Sequence, residues 1–85
     1  MAEVIITYRI LPEGPEVDLD DLELRIKKTV NPDQIKREPM VFGMYSIIVV
    51  KIIPDESGES DKMETQLRGI KGVSEIEVTD MTRTL

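Results

Sequence analysis

Neither cysteine nor histidine occurs anywhere in these 85 residues. Without cysteine there is no disulfide, no thiol nucleophile and no thiolate metal site. Without histidine, the commonest general base and the commonest metal ligand are missing. Aromatic side chains are scarce: no tryptophan, two tyrosines and a single phenylalanine, Phe42. Basic residues are outnumbered, 11 Lys and Arg against 17 Asp and Glu, for a net charge of −6. Such a chain repels phosphate backbones unless its few cations cluster, so no direct nucleic-acid contact is expected. The longest apolar run, Ile47 to Val50, is far too short to span a membrane. The N-terminus, with Glu3, Thr7 and Arg9, lacks the basic flank and unbroken apolar stretch of a signal peptide. The expectation is a cytoplasmic monomer with no cofactor and no membrane partner.

What is present is a globular composition, 40% hydrophobic and 33% charged, in one domain spanning residues 1–85. Two stretches repeat weakly. Ile5-Ile6-Thr7-Tyr8-Arg9-Ile10-Leu11-Pro12 resembles Ile47-Ile48-Val49-Val50-Lys51-Ile52-Ile53-Pro54, with β-branched residues, one cation at the same place and a closing proline. Both read as buried strands.

An acidic loop and a helical pattern follow each. Leu19, Leu22, Ile26 and Val30 form one apolar stripe, with Leu24 off it. Asp18 suits the N-cap, Asp20 and Asp21 the first turn, Lys27 and Lys28 the last, and Asn31-Pro32 stops the helix. Met63, Leu67 and Ile70 make a shorter stripe, with Asp61 and Glu64 as a capping pair, a weak last turn at Gly69, and Gly72 able to end it. Further extended segments follow at Gln34–Met40, marked as an edge by Pro39, and at Val73–Thr79, where Ile76 and Val78 oppose Glu75 and Glu77.

The order β-α-β-β-α-β predicts the ferredoxin-like α+β architecture, a four-stranded antiparallel sheet with both helices on one face. The first and third strands are then the inner pair. Their core face is expected to hold Ile6, Ile10, Ile48, Val50 and Ile52. Ile5, Thr7, Arg9, Ile47, Val49 and Lys51 are expected on the open face, which is half apolar. Either a partner covers part of that face, or its β-branched residues simply support the sheet.

Fold does not decide function. Ser46, Ser57, Ser60 and Ser74 have no histidine to activate them. Helix capping accounts for Asp18, Asp20 and Asp21, and a solvated loop for Glu56, Glu59 and Asp61. Neither acidic cluster has the EF-hand spacing. The glycines are scattered and form no phosphate loop. Tyr8 and Tyr45 are the only side chains on which a base could stack, and the acidic charge opposes it. Two features remain. Phe42 falls in the turn between the second and third strands, stiffened by Pro39 and freed to bend by Gly43. It is either a plug for the end of the sheet or an apolar knob on display with Val41 and Met44. In the tail Asp80-Met81-Thr82-Arg83-Thr84-Leu85, Arg83 is either a solvated cation or one delivered to an acidic or phosphate-bearing site.

Glu38-Pro39-Met40-Val41-Phe42-Gly43, followed by a β-branched strand, resembles the Pro-Ile-Ala-Phe-Gly-type segment of the elongation factor 1-beta family. The ending Gly72-Val73-Ser74-Glu75-Ile76-Glu77-Val78-Thr79-Asp80 resembles that of the archaeal members. The likeness covers essentially the whole chain. It implies a guanine-nucleotide exchange factor for elongation factor 1-alpha, the GTPase that brings aminoacyl-tRNA to the ribosome. It further implies that Phe42 inserts into the GTPase near its nucleotide, with Pro39, Val41 and Gly43 shaping the loop. Arg83, beside Met81, then disturbs the Mg²⁺ and phosphate site. Eukaryotic members have lysine where this chain has Arg83; arginine keeps the charge on a broader, planar group. Exchange by displacement needs no catalytic base, so the reading is not an enzyme. Two others stand beside it. One is a small-molecule-sensing regulatory domain dimerising through its sheet. The other is an acylphosphatase-type enzyme, opposed by the acidic Pro12-Glu13-Gly14-Pro15-Glu16 after the first strand.

Overall fold

Isoleucine, valine and tyrosine crowd the two strands at the centre of the sheet. The computed structural model describes residues 2–56 and 58–84; Ser57 and the terminal Leu85 of the tail lie outside the described residues. The order is β1 (Glu3–Pro12), α1 (Leu19–Val30), β2 (Gln34–Pro39), β3 (Tyr45–Pro54), α2 (Glu59–Arg68) and β4 (Val73–Thr84). The strands form one antiparallel sheet in the order β2-β3-β1-β4, so β1 and β3 are the inner pair. Leu22, Ile26 and Val30 of α1 and Met63 and Leu67 of α2 share one core with that sheet. This is the expected ferredoxin-like arrangement.

The core face of β1 carries Val4, Ile6, Tyr8 and Ile10. On β3 the expected faces are reversed. Ile10 pairs with Ile47, Tyr8 with Val49 and Val4 with Ile53, which puts Ile47, Val49 and Ile53 in the core. Ile48, Val50 and Ile52 lie on the open face opposite Arg9, Thr7 and Ile5. β3 is apolar on both sides, so alternation alone leaves its parity undetermined. Lys51 occupies a core-face position opposite Ile6. It escapes along its stem, and Nζ donates to the Asn31 carbonyl at 2.7 Å.

At α1 the capping is as expected. The Asp18 carboxylate accepts from the backbone N–H groups of Asp20 and Asp21. Asn31, left-handed at φ 46°, ends the helix, and Leu24 is exposed. At α2 the expected Asp61–Glu64 capping pair does not form. The N-cap is Gly58, with no side-chain cap, and Asp61 lies inside the first turn. There its carboxylate still faces the positive end of the dipole. The helix ends at Gly69, and Gly72, at φ 101°, turns the chain into β4 instead of closing the helix.

β4 continues to Thr84, so the expected tail is strand, paired along β1 from Pro12↔Val73 to Glu3↔Thr84. The register shifts where Tyr8 meets Val78 and Thr7 meets Asp80, leaving Thr79 as an extra residue. This bulge changes which positions face the helices, from Ile76 and Val78 to Met81 and Arg83.

One core group is unsatisfied. Tyr8 is fully buried and its hydroxyl has no hydrogen-bond partner among the described residues. Burial, with the Glu64 and Asp61 carboxylates, pushes its pKa up to about 12.

Candidate functional site

Pro39 ends the edge strand β2 opposite Tyr45. The Met40 N–H donates to the Met44 carbonyl at 2.7 Å and closes the connection to β3. Between them Val41–Gly43 make one tight turn, in which Phe42 adopts φ 62°, ψ 30° and Gly43 φ 71°. Glycine enters this left-handed region freely, whereas a residue with a Cβ pays roughly 1–2 kcal/mol. A Cβ at Gly43 would meet nothing within 4 Å, so the turn's dihedral, not space, asks for glycine there. Phe42 is 95% exposed and Val41 72%. The ring is therefore on display and does not plug the sheet. A bulky residue held strained and bare contributes nothing to folding, which points to a role in recognition.

The base of this hairpin is braced on both faces. On the open face Arg9 lies between Glu38 of β2 at 3.2 Å and Glu77 of β4 at 3.5 Å. On the helix face Arg37 of β2 engages Asp20 and Glu23 of α1, whose carboxylates push its guanidinium above its ordinary pKa. The buried Ser46 hydroxyl donates to the Glu38 carbonyl at 3.4 Å. Each half-exposed pair contributes little alone. Together they tie an edge strand to its neighbours, and a tip with a fixed base loses less entropy on docking.

At the far end of β1, Arg83 pairs with Val4 and Met81 with Ile6. The Arg83 side chain is 75% exposed, and its Nε forms an ion pair with Asp55 Oδ2 at 3.2 Å. Met81 is exposed beside it and shares a shallow cleft with Ile6, Ile53 and Pro54.

The expected site residues thus fall into two groups. Pro39, Val41, Phe42 and Gly43 form the hairpin tip; Met81 and Arg83 form the strand end. Ile10 pairs with Ile47 toward the tip, while Val4 pairs with Arg83. The six residue steps between Val4 and Ile10 span about 20 Å, and Phe42 projects further still. The long axis of the molecule is 42 Å. Phe42 and Arg83 therefore stand toward opposite ends of β1, as two separate contact points rather than one cluster. Met40, exposed beside Val41, belongs to the tip and was not among the expected residues. Its place between Pro39 and Val41 was the signal. Among the described residues no three His, Cys, Asp or Glu side chains gather into a metal-holding group, and no helix is long and apolar enough to cross a membrane.

The chain matches the EF-1 guanine nucleotide exchange domain over residues 5–84. It is 37% identical to the elongation factor 1-beta of Methanothermobacter thermautotrophicus, with 98% of each chain aligned. It is 35% identical to that of Methanoculleus marisnigri, over 96% of this chain and 98% of the relative. With that of Methanosphaerula palustris the identity is 34%, over 99% and 100%.

Proposed function

This chain belongs to the EF-1 guanine nucleotide exchange domain family, and on that premise we propose that it exchanges GDP for GTP on elongation factor 1-alpha through Phe42 and Arg83. A nucleotide-exchange role in translation elongation follows from the membership itself. The observation carrying the finer reading is Phe42, fully exposed and left-handed at the tip of a braced hairpin.

The energetics need no catalytic group. A protein that binds the empty GTPase more tightly than the loaded one weakens nucleotide affinity by the same factor. The separation of the two ends divides the work. An apolar knob of Val41 and Phe42 suits an apolar pocket, where a buried aromatic anchor dominates affinity. A guanidinium suits the phosphate and Mg²⁺ neighbourhood, where a positive charge competes with the metal for the same oxygens. Met81 supplies apolar contact beside it, and Pro39 and Gly43 set the aim of the tip.

The test is release of mant-GDP from elongation factor 1-alpha. The parent protein accelerates release, and Phe42→Ala and Arg83→Ala each slow it. Unchanged release by Phe42→Ala removes the anchor role. Unchanged release by Arg83→Ala removes only the proposal for the metal site. A sheet-dimerised regulatory domain is the poorer reading. The Arg9, Glu38 and Glu77 charges cross the hairpin end of the open face, and Ile48 is buried there.

A further inference from the structure

Two adjoining hollows run between α1 and α2. Arg25, Lys28 and Lys71 line one, and Lys51 and Lys62 the other. Thr29 and Gln66 line both, so the hollows form one groove. Glu59 is the sole carboxylate among the residues lining it. Five cations and one carboxylate give the groove a net +4, leaving −10 for the rest of a chain whose total is −6.

Folding explains only part of this segregation. Lys28, in the last turn of α1, complements the helix dipole. Arg25 is held at the rim by Asp21 at 2.6 Å and donates to the Lys71 carbonyl at 3.1 Å. Lys51 meets the Asn31 carbonyl. Lys62 has no such account. It lies in the N-terminal half of α2, where the dipole favours anions. Lys28, Lys62 and Lys71 are exposed and form no ion pair among the described residues.

We propose that this groove docks a short acidic segment of a partner protein. Charge complementarity selects an anionic occupant. Size selects a short one. From Glu59 to Arg68 the helix rises about 14 Å, room for about four residues of extended chain. A longer polyanion such as RNA would pass beyond the groove onto a surface of net −10 and be repelled. The proposal stands apart from the exchange reading, and its readout involves no nucleotide.

Fluorescein-labelled hexaglutamate, which fills the groove with about one residue to spare at each end, tests it when titrated at low salt with anisotropy as readout. Hexaglutamine and hexauridylate, with the same number of units, serve as competitors. Hexaglutamate binds, and its amide chemical-shift changes on ¹⁵N-labelled protein lie along the facing sides of α1 and α2. Lys62→Glu weakens binding about tenfold, while Lys36→Glu, the same charge change on β2, weakens it less than about twofold. Equal losses would reduce the effect to general attraction and overturn the groove. Tighter binding of hexauridylate would make the occupant a nucleic acid. Absence of shifts on hexaglutamate addition would leave the groove without the proposed ligand.

Discussion

Truncating Phe42 to alanine removes a ring that is 95% exposed and touches nothing on which the fold depends. The left-handed backbone remains, so its strain is the same in both proteins. The stability change is therefore within about 0.5 kcal/mol, or a melting shift within about 2–4 °C for a domain of this size. The effect on a bound partner is far larger. Burying such a ring removes about 150–200 Å² from water, worth about 4–5 kcal/mol gross at ~25 cal/mol/Å². Ordering and desolvation reduce that to the roughly 2–4 kcal/mol typical of an anchor residue, or about 30- to 1,000-fold. In mant-GDP release from elongation factor 1-alpha, the concentration of factor giving half-maximal acceleration rises by that factor. Phe42→Gly gives the same loss of function. It relieves about 1 kcal/mol of strain and returns a similar amount as chain entropy, so its melting point stays close to the parent's. A melting temperature lowered by about 8 °C in Phe42→Ala would mean that the ring packs on the domain. An unshifted half-maximal concentration would mean that it docks nowhere.

Three further outcomes are expected. Tyr8→Phe removes a buried hydroxyl with no partner, so urea unfolding at neutral pH shows equal or greater stability, by up to about 1 kcal/mol. Because the folded Tyr8 pKa is raised to about 12, an unfolded chain ionises first above its ordinary value near 10. The parent's stability is complete below pH ~10 and falls as pH rises toward ~12, and Tyr8→Phe flattens that fall. Asp18→Ala leaves two N–H groups of α1 uncapped and costs about 1 kcal/mol in chemical denaturation. Arg83→Ala lowers the melting point by no more than about 4–8 °C, since the exposed pair with Asp55 contributes at most about 1 kcal/mol. In nucleotide release Arg83→Lys retains more activity than Arg83→Ala.

The helix faces were legible because charge and apolar period agree. Leu22, Ile26 and Val30 are buried while Leu24 is bare, and Asp18 caps where its position suggests. The parity of β3 was not legible. Ile47 to Ile53 is apolar on both sides, and only pairing with Tyr8 and Ile10 decides which half is core. Lys51 misled, because a long stem lets a cation stand at a core-face position and still reach solvent. The extent of β4 was hidden by its bulge. Ile76 and Val78 share a parity that Met81 and Arg83 break, and that break was itself the mark of an inserted residue. For the site, residue types around Phe42 were informative, since proline before and glycine after demand a turn. Their distance from Arg83 follows from the expected antiparallel sheet order, and no local pattern around either residue shows it.

That distance has a kinetic meaning. Two contacts held apart on one rigid sheet do not have to break together. If returning nucleotide displaces the Arg83 end first, the tip still tethers the pair, and the displaced end remains at an effective concentration in the millimolar range. Dissociation then proceeds by peeling from one end. On the proposed reading, the weaker contact would set how readily the cycle ends, while both contacts would set how far the nucleotide is driven out. Weakening one end should therefore change the residence time and the extent of displacement by different amounts, a separation that a single compact contact would not permit.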